Sequence, residues 1–229
     1  MKKQIALAVI LASALVLSGC SGLMKSSAPP PTLYPLHAAA QAPRQAKAQR
    51  VVSVAEPQVP PGFDSDRIAI YLEQSRRMDF AAGAAWPAPL PKVLQDFIVH
   101  SAAANPRLMA VLPDSGLPAA YSLMVRVNDF EPVYGADAKA APVLKASMTF
   151  SLVALDRNKI IANFTESRET PATANSLTAI TAGLETLAQD MVSQAWQKML
   201  LSNIHKKSTR RPERHLTPGM NISSKDIWQ

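Results

Sequence analysis

Two stretches near the middle of the chain alternate apolar and polar side chains with a period of two. Tyr121, Leu123, Val125 and Val127 alternate with Ser122, Met124, Arg126 and Asn128, and Leu144, Ala146, Met148, Phe150 and Leu152 alternate with Lys145, Ser147, Thr149 and Ser151. Neighbouring side chains of a strand point to opposite faces, so each stretch reads as a half-buried β-strand. Asp156-Arg157-Asn158-Lys159 reads as a turn, and Ile160, Ala162 and Phe164 return against the preceding strand as a hairpin. Long antiparallel strands with one apolar face need a cover.

The cover is the last helical pattern, Ser176 to about Leu201. Leu177, Ile180, Leu184, Leu187, Met191, Ala195 and Met199 recur at steps of three and four, and Asn175 or Ser176 caps the start. With a sheet to bury it, this stripe is core rather than a partner-binding face. A second helix opens after Trp86-Pro87-Ala88-Pro89-Leu90-Pro91, places Leu90, Val93, Leu94, Phe97 and Ile98 on one stripe, and stops at Asn105-Pro106. Val51 to Val54, Arg67 to Leu72 and Met78 to Phe80 are further strand candidates. The expected fold class is α/β: a single domain over residues 51–201 with a mixed or mostly antiparallel sheet and two helices packed on it.

The charge of +7 comes from 24 Lys and Arg against 17 Asp and Glu, and a basic chain invites a nucleic-acid reading. The location of the charge argues against it. Residues 51–201 hold 12 basic and 15 acidic side chains, a balance of −3, so the excess sits in the flanks. No nucleic-acid partner is expected, because such binding needs Lys and Arg clustered on the folded surface.

The single cysteine excludes internal disulfides and cysteine-based zinc or iron–sulfur sites. Its context is more specific. Lys2 and Lys3 precede an apolar run from Ile5 to Leu17, too short to span a membrane, and the pattern of residues 1–19 is that of a signal peptide. Leu17-Ser18-Gly19-Cys20 resembles the bacterial lipobox, in which the chain is cut before the cysteine, here between Gly19 and Cys20, and the cysteine is acylated with fatty chains such as palmitate. Ser21, where an aspartate would retain such a protein at the inner membrane, implies the periplasmic face of the outer membrane.

Eight of the 19 prolines lie between Pro29 and Pro61, and residues 20–50 read as a Pro/Ala-rich linker from the lipidated cysteine. About 29 residues of such linker span roughly 30 Å as a coil and roughly 90 Å as polyproline II. Residues 202–229 form a basic tail, expected to be flexible, in which Lys206, Lys207, Arg210 and Arg211 are candidate contacts for anionic phospholipid headgroups or glycan.

No catalytic constellation appears. The glycines are too scattered for a phosphate-cradling loop, and His100 is the only histidine of the domain, placed where a cation suits a helix terminus. Asp64 and Asp66 read as turn formers rather than a calcium loop, and Glu166 and Glu169 as flanking a solvated loop after the hairpin. The chain reads as a non-enzyme, with no cofactor and no metal.

From Leu33 to Trp196 the sequence resembles the ABC-type transport auxiliary lipoproteins, the group of PqiC/YmbA-like lipoproteins of Mce-type lipid transport systems. The landmarks, in order, are Tyr34, Val51 to Pro61, Asp66-Arg67-Ile68-Ala69-Ile70, Met78-Asp79-Phe80, Ala85-Trp86-Pro87-Ala88-Pro89-Leu90, Tyr121-Ser122-Leu123 with Asp129-Phe130, and Trp196 near the end of the last helix. The resemblance implies an outer-membrane-anchored auxiliary that docks an Mce-type or channel protein, with a homo-oligomer as a further expectation. Trp86 and Arg67 are candidate partner contacts; their structural readings are a wedge under the first helix and an ion pair with Asp64 or Asp66. A variant in which the domain carries lipid itself implies a sizeable apolar cavity between sheet and helices. The alternative is a structural envelope lipoprotein that binds peptidoglycan or another envelope complex.

Overall fold

In the computed structural model, which describes residues 29–39 and 50–208, the long strand β6 (Tyr121–Tyr134) organises the sheet. Along one edge it pairs antiparallel with β7 (Val143–Ala154), which pairs antiparallel with β8 (Lys159–Pro171). The other edge is shared. β2 (Arg50–Val54) runs parallel to its first residues, followed by a single bridge from Gln58 to Arg126, and β3 (Arg67–Leu72) runs parallel to its last two. Beyond β2 lies β5 (Leu108–Val111), and beyond β3 lie β4 (Arg77–Ala85) and then β1 (Thr32–Leu33). The result is one mixed sheet of eight strands.

Both helices pack on the same face of it. Helix α1 (Leu90–Ser101) buries the expected stripe of Leu90, Val93, Leu94, Phe97 and Ile98. Its start is fixed by the Leu90 N–H donating to Ser65 O at 3.0 Å and the Trp86 N–H donating to Asp66 O at 2.7 Å. Helix α2 (Leu177–Ser208) lies along β7 and β8, with Ile180, Leu184, Leu187, Met191, Ala195 and Met199 buried. The Ser176 hydroxyl accepts the Ala179 N–H at 3.3 Å, a cap at the expected place. Each fully buried Leu, Ile, Met or Phe contributes about 1.5–3 kcal/mol, so this one interface holds most of the core. Gly183 lets the helix approach closely: a Cβ there would stand 2.2 Å from Leu144 Cδ1.

Several expectations need correction. Residues 29–39 fall in the stretch expected to be a spacer, yet β1 pairs with β4, the Tyr34 N–H donates to Ala85 O, and Tyr34, Leu36 and Ala38 pack against the core. Helix α2 runs to Ser208, past the boundary expected at residue 201. The third strand is nine residues long rather than three, because Gly83, at φ +70°, accommodates the register shift that keeps β4 on β3. Glu166 and Glu169 are not in a loop: β8 continues through both to Pro171. The signal segment, Gly19, Cys20 and Ser21, and Arg210 and Arg211 lie outside the described residues, and Lys206 and Lys207 are placed only as backbone of α2.

Candidate functional site

With both helices on one face, the opposite face of β6, β7 and β8 is uncovered. Its side chains follow the polar half of the alternation. Asn128 donates to the hydroxyls of Ser147 (3.3 Å) and Thr149 (3.2 Å), the hydroxyls of Thr149 and Thr165 and of Ser147 and Ser167 meet at 2.9 Å, and Asn163 donates to Ser151 at 2.7 Å. These cross-strand ladders tie β6, β7 and β8 together on this face.

Two troughs lie on this face. One, of about 460 Å³, runs over Gln58, Met124, Arg126, Asn128, Ser151 and Asn163 and is largely uncharged apart from Arg126 and the rim residue Glu56. Glu56 is itself paired with Lys92 at 2.5 Å. The other, of about 490 Å³, sits at the far end over Tyr71, Glu73, Asp129, Glu131, Lys145 and Glu169, with Val133 and Val143 beside them. That end is acidic: four carboxylates surround one lysine, and Lys145 is 3.8 Å from Glu169.

A bulge in β6 creates the acidic end. The register against β7 shifts between Val127 and Asp129, so the inward series Leu123, Val125, Val127 resumes at Phe130 rather than at residue 129. Asp129 and Glu131 are thereby turned to the open face, while Phe130 enters the core against Trp86, ring centroids 6.1 Å apart. Glu131 is 7% exposed, and one of its oxygens accepts the Phe130 N–H at 2.6 Å. Loss of hydration raises its pKa from 4.5 to about 7; Asp129 adds to the rise, while the Phe130 hydrogen bond and Lys145 oppose it.

On the helix side, Glu166 is 4% exposed and is held by Arg168 at 3.2 Å and by Lys198 of α2, whose ammonium also lies 5.2 Å from the Phe164 ring. Arg168 donates further to Gln194 Oε1 at 2.7 Å, so the cluster ties β8 to α2. The chain leading from the N-terminal side is tied to the same helix. Glu185 accepts the His37 N–H at 2.8 Å, and Gln189 donates to His37 O at 2.8 Å.

The residues singled out from sequence are not brought together. Trp86, 2% exposed, is a core residue beside Phe130. Arg67 forms no ion pair with Asp64 or Asp66 among the described residues; its guanidinium stacks 3.8 Å over the Phe80 ring. The apolar space between sheet and helices, lined by Arg50, Val52, Leu108, Tyr121, Leu152 and Trp196, measures about 10 Å³, room for roughly one water and far short of an acyl chain. The acidic trough and Glu131 were missed, although the three-residue step from Val127 to Phe130 was visible as a break in the period of two.

Solved structures share this arrangement. A protein of Xanthomonas campestris matches with a TM-score of 0.64 at 19% identity, covering 77% of this chain and 99% of its own. An uncharacterised protein matches with a TM-score of 0.58 at 14% identity, covering 75% and 99%. At such identities the likeness concerns the fold, an α/β domain with a mixed sheet. No curated protein matches the sequence. The sequence profile of the ABC-type transport auxiliary lipoprotein component matches residues 34–195, and the chain belongs to that family.

Proposed function

We propose that the chain is a non-catalytic docking component of an Mce-type lipid transport system, anchored through acylated Cys20 to the periplasmic face of the outer membrane. The observation that carries this reading is the uncovered face of the sheet. Both helices are spent on the opposite face, and what remains is a broad surface tied together by hydroxyl and amide ladders and cut by two troughs. A wet surface of this kind suits a partner that docks and leaves. Family membership supports a role beside an ATP-driven transporter. No described helix is long and apolar enough to cross a membrane, which is compatible with attachment through a lipid. The seating of residues 32–38 on β4 and α2 makes part of the expected tether a piece of the domain, which supports a shorter reach between Cys20 and the fold.

In-cell photo-cross-linking tests the docking role. A photoreactive residue at Met124, Arg126 or Val143 on the open face is expected to capture an Mce-domain or channel protein, while one at the exposed His100 on α1 is not. Capture only from the helix side would overturn the reading. For the anchor, Cys20→Ala is expected to release the protein from membranes and to abolish fatty-acid labelling.

A further inference from the structure

Glu131 is an unusual residue to find on a wet sheet surface. It is 7% exposed, one oxygen takes the Phe130 N–H, and the other accepts no hydrogen bond from any described residue although the side chain lines the acidic trough. Its register partner across β7 is Lys145, but that ammonium is within ion-pair distance of Glu169 instead. Asp129 and Glu73 on the same trough add negative charge. The second oxygen is open to the water of the trough rather than sealed in the core, so an incoming donor can take that water's place, and a cation beside it would favour the ionised form that burial disfavours.

We infer that this trough seats a basic segment of a protein partner, an extended stretch that lays a lysine or arginine side chain against Glu131. The inference rests on the docking role proposed above and specifies the chemistry of what docks. Charge complementarity selects the occupant: the trough offers four carboxylates against one lysine that is already paired. Its shape selects a polypeptide over a free ion. About 490 Å³ of open space, with Val133 and Val143 flanking the acids, accommodates a long side chain and the apolar neighbours of an extended strand. A metal ion needs several converging ligands, and among the described residues no group of three or more His, Cys, Asp or Glu is placed to hold one.

The test titrates the full chain, isotope-labelled, with three short peptides of equal length that alternate threonine with lysine, with glutamate or with serine. Vesicles of phosphatidylethanolamine, whose headgroup also carries an ammonium, form a fourth arm. The lysine peptide is expected to shift the amide signals of Val133 and Val143 in a saturable way, while the other arms do not. Glu131→Gln, which keeps shape and removes the charge, is expected to weaken the lysine peptide about tenfold or more. Glu56→Gln on the rim of the other trough is the control, expected to leave it unchanged. Between pH 8 and pH 6 the wild-type affinity falls as Glu131 takes up its proton, with Asp129, Glu73, Glu169, Lys145 and Tyr71 as the other titratable groups facing it; the Gln variant loses that dependence. Equal binding of the glutamate or serine peptide, binding by the vesicles at the same signals, no binding of the lysine peptide, or indifference to Glu131→Gln overturns the proposal. The two readings fail separately. Cross-links confined to the helix side with the lysine peptide still seated at Glu131 sink the transport role alone, whereas open-face cross-links with no preference for lysine sink this one alone.

Discussion

The indole N–H of Trp196, on α2, donates to the hydroxyl of Ser101, the last residue of α1, at 2.9 Å, and that hydroxyl donates in turn to Ile98 O at 2.7 Å. This side-chain hydrogen bond joins the two helices covering the sheet. Trp196 is 3% exposed, so its ring also fills the space between the helix ends and β2 and β5. Trp196→Phe removes the bond and part of the volume and is expected to cost about 1–2 kcal/mol, whereas Trp196→Ala costs about 3–5 kcal/mol. Urea denaturation of the two variants, with Ser101→Ala as the partner in a double-mutant cycle, separates the hydrogen bond from the packing.

The Glu166 cluster predicts strong non-additivity. Lys198→Met leaves the buried carboxylate with Arg168, and Arg168→Met leaves it with Lys198; each is expected to cost about 1 kcal/mol. Removing both strands a charge that is 4% exposed, and the double variant is expected to lose about 3–5 kcal/mol, more than the sum of the single losses. Additive losses in chemical denaturation would mean that water already compensates Glu166.

Close packing at Gly183 sets a third expectation. An alanine in mid-helix ordinarily gains about 1 kcal/mol over glycine. Here its methyl would meet Leu144 Cδ1 at 2.2 Å, so the fully buried Leu144 side chain has to shift within a close-packed core. Overpacking of this kind costs about 1–3 kcal/mol, so Gly183→Ala is expected to destabilise by about 1–2 kcal/mol on balance. Combining it with Leu144→Val should recover part of that loss in thermal melts.

Sequence patterning made the layers of this fold legible because burial drives both of its periods. The stripes of α1 and α2 and the alternation of β6 and β7 each reflect one face against one core. β5, from Leu108 to Val111, was missed because four residues between loops carry too little period to read. Residues 34–38 do alternate, with Tyr34, Leu36 and Ala38 inward, but three prolines in a row ahead of them signalled a tether more strongly. Glu166 was misplaced for a different reason. A buried charge is legible only through its partners, and Lys198 stands 32 residues away on another element. Glu131 is assigned to the core by a strict period of two continued past Val127, and only the step to Phe130, read as a bulge, turns it to the open face.

Stability should vary with pH through Glu131. Its carboxyl in the folded protein titrates near 7, above the 4.5 of a free carboxyl, so folding favours the protonated form. Below about pH 4.5 both states hold the proton and the group costs nothing. As pH rises from there the unfolded chain releases it first, stability falls until about pH 7, and above that both states are ionised and the loss is constant. Linkage puts that loss at about 2 kcal/mol after allowance for solvent at the trough. Glu131→Gln removes the term, so the variant should be more stable than wild type by about that amount at pH 8 and equal to it near pH 4.5. The check is the difference between the urea midpoints of the two proteins across that range, in which the titrations they share cancel. A constant difference across the range would show that Glu131 is already compensated in the free domain, and a difference that grew toward low pH would mean that its charge stabilises the fold.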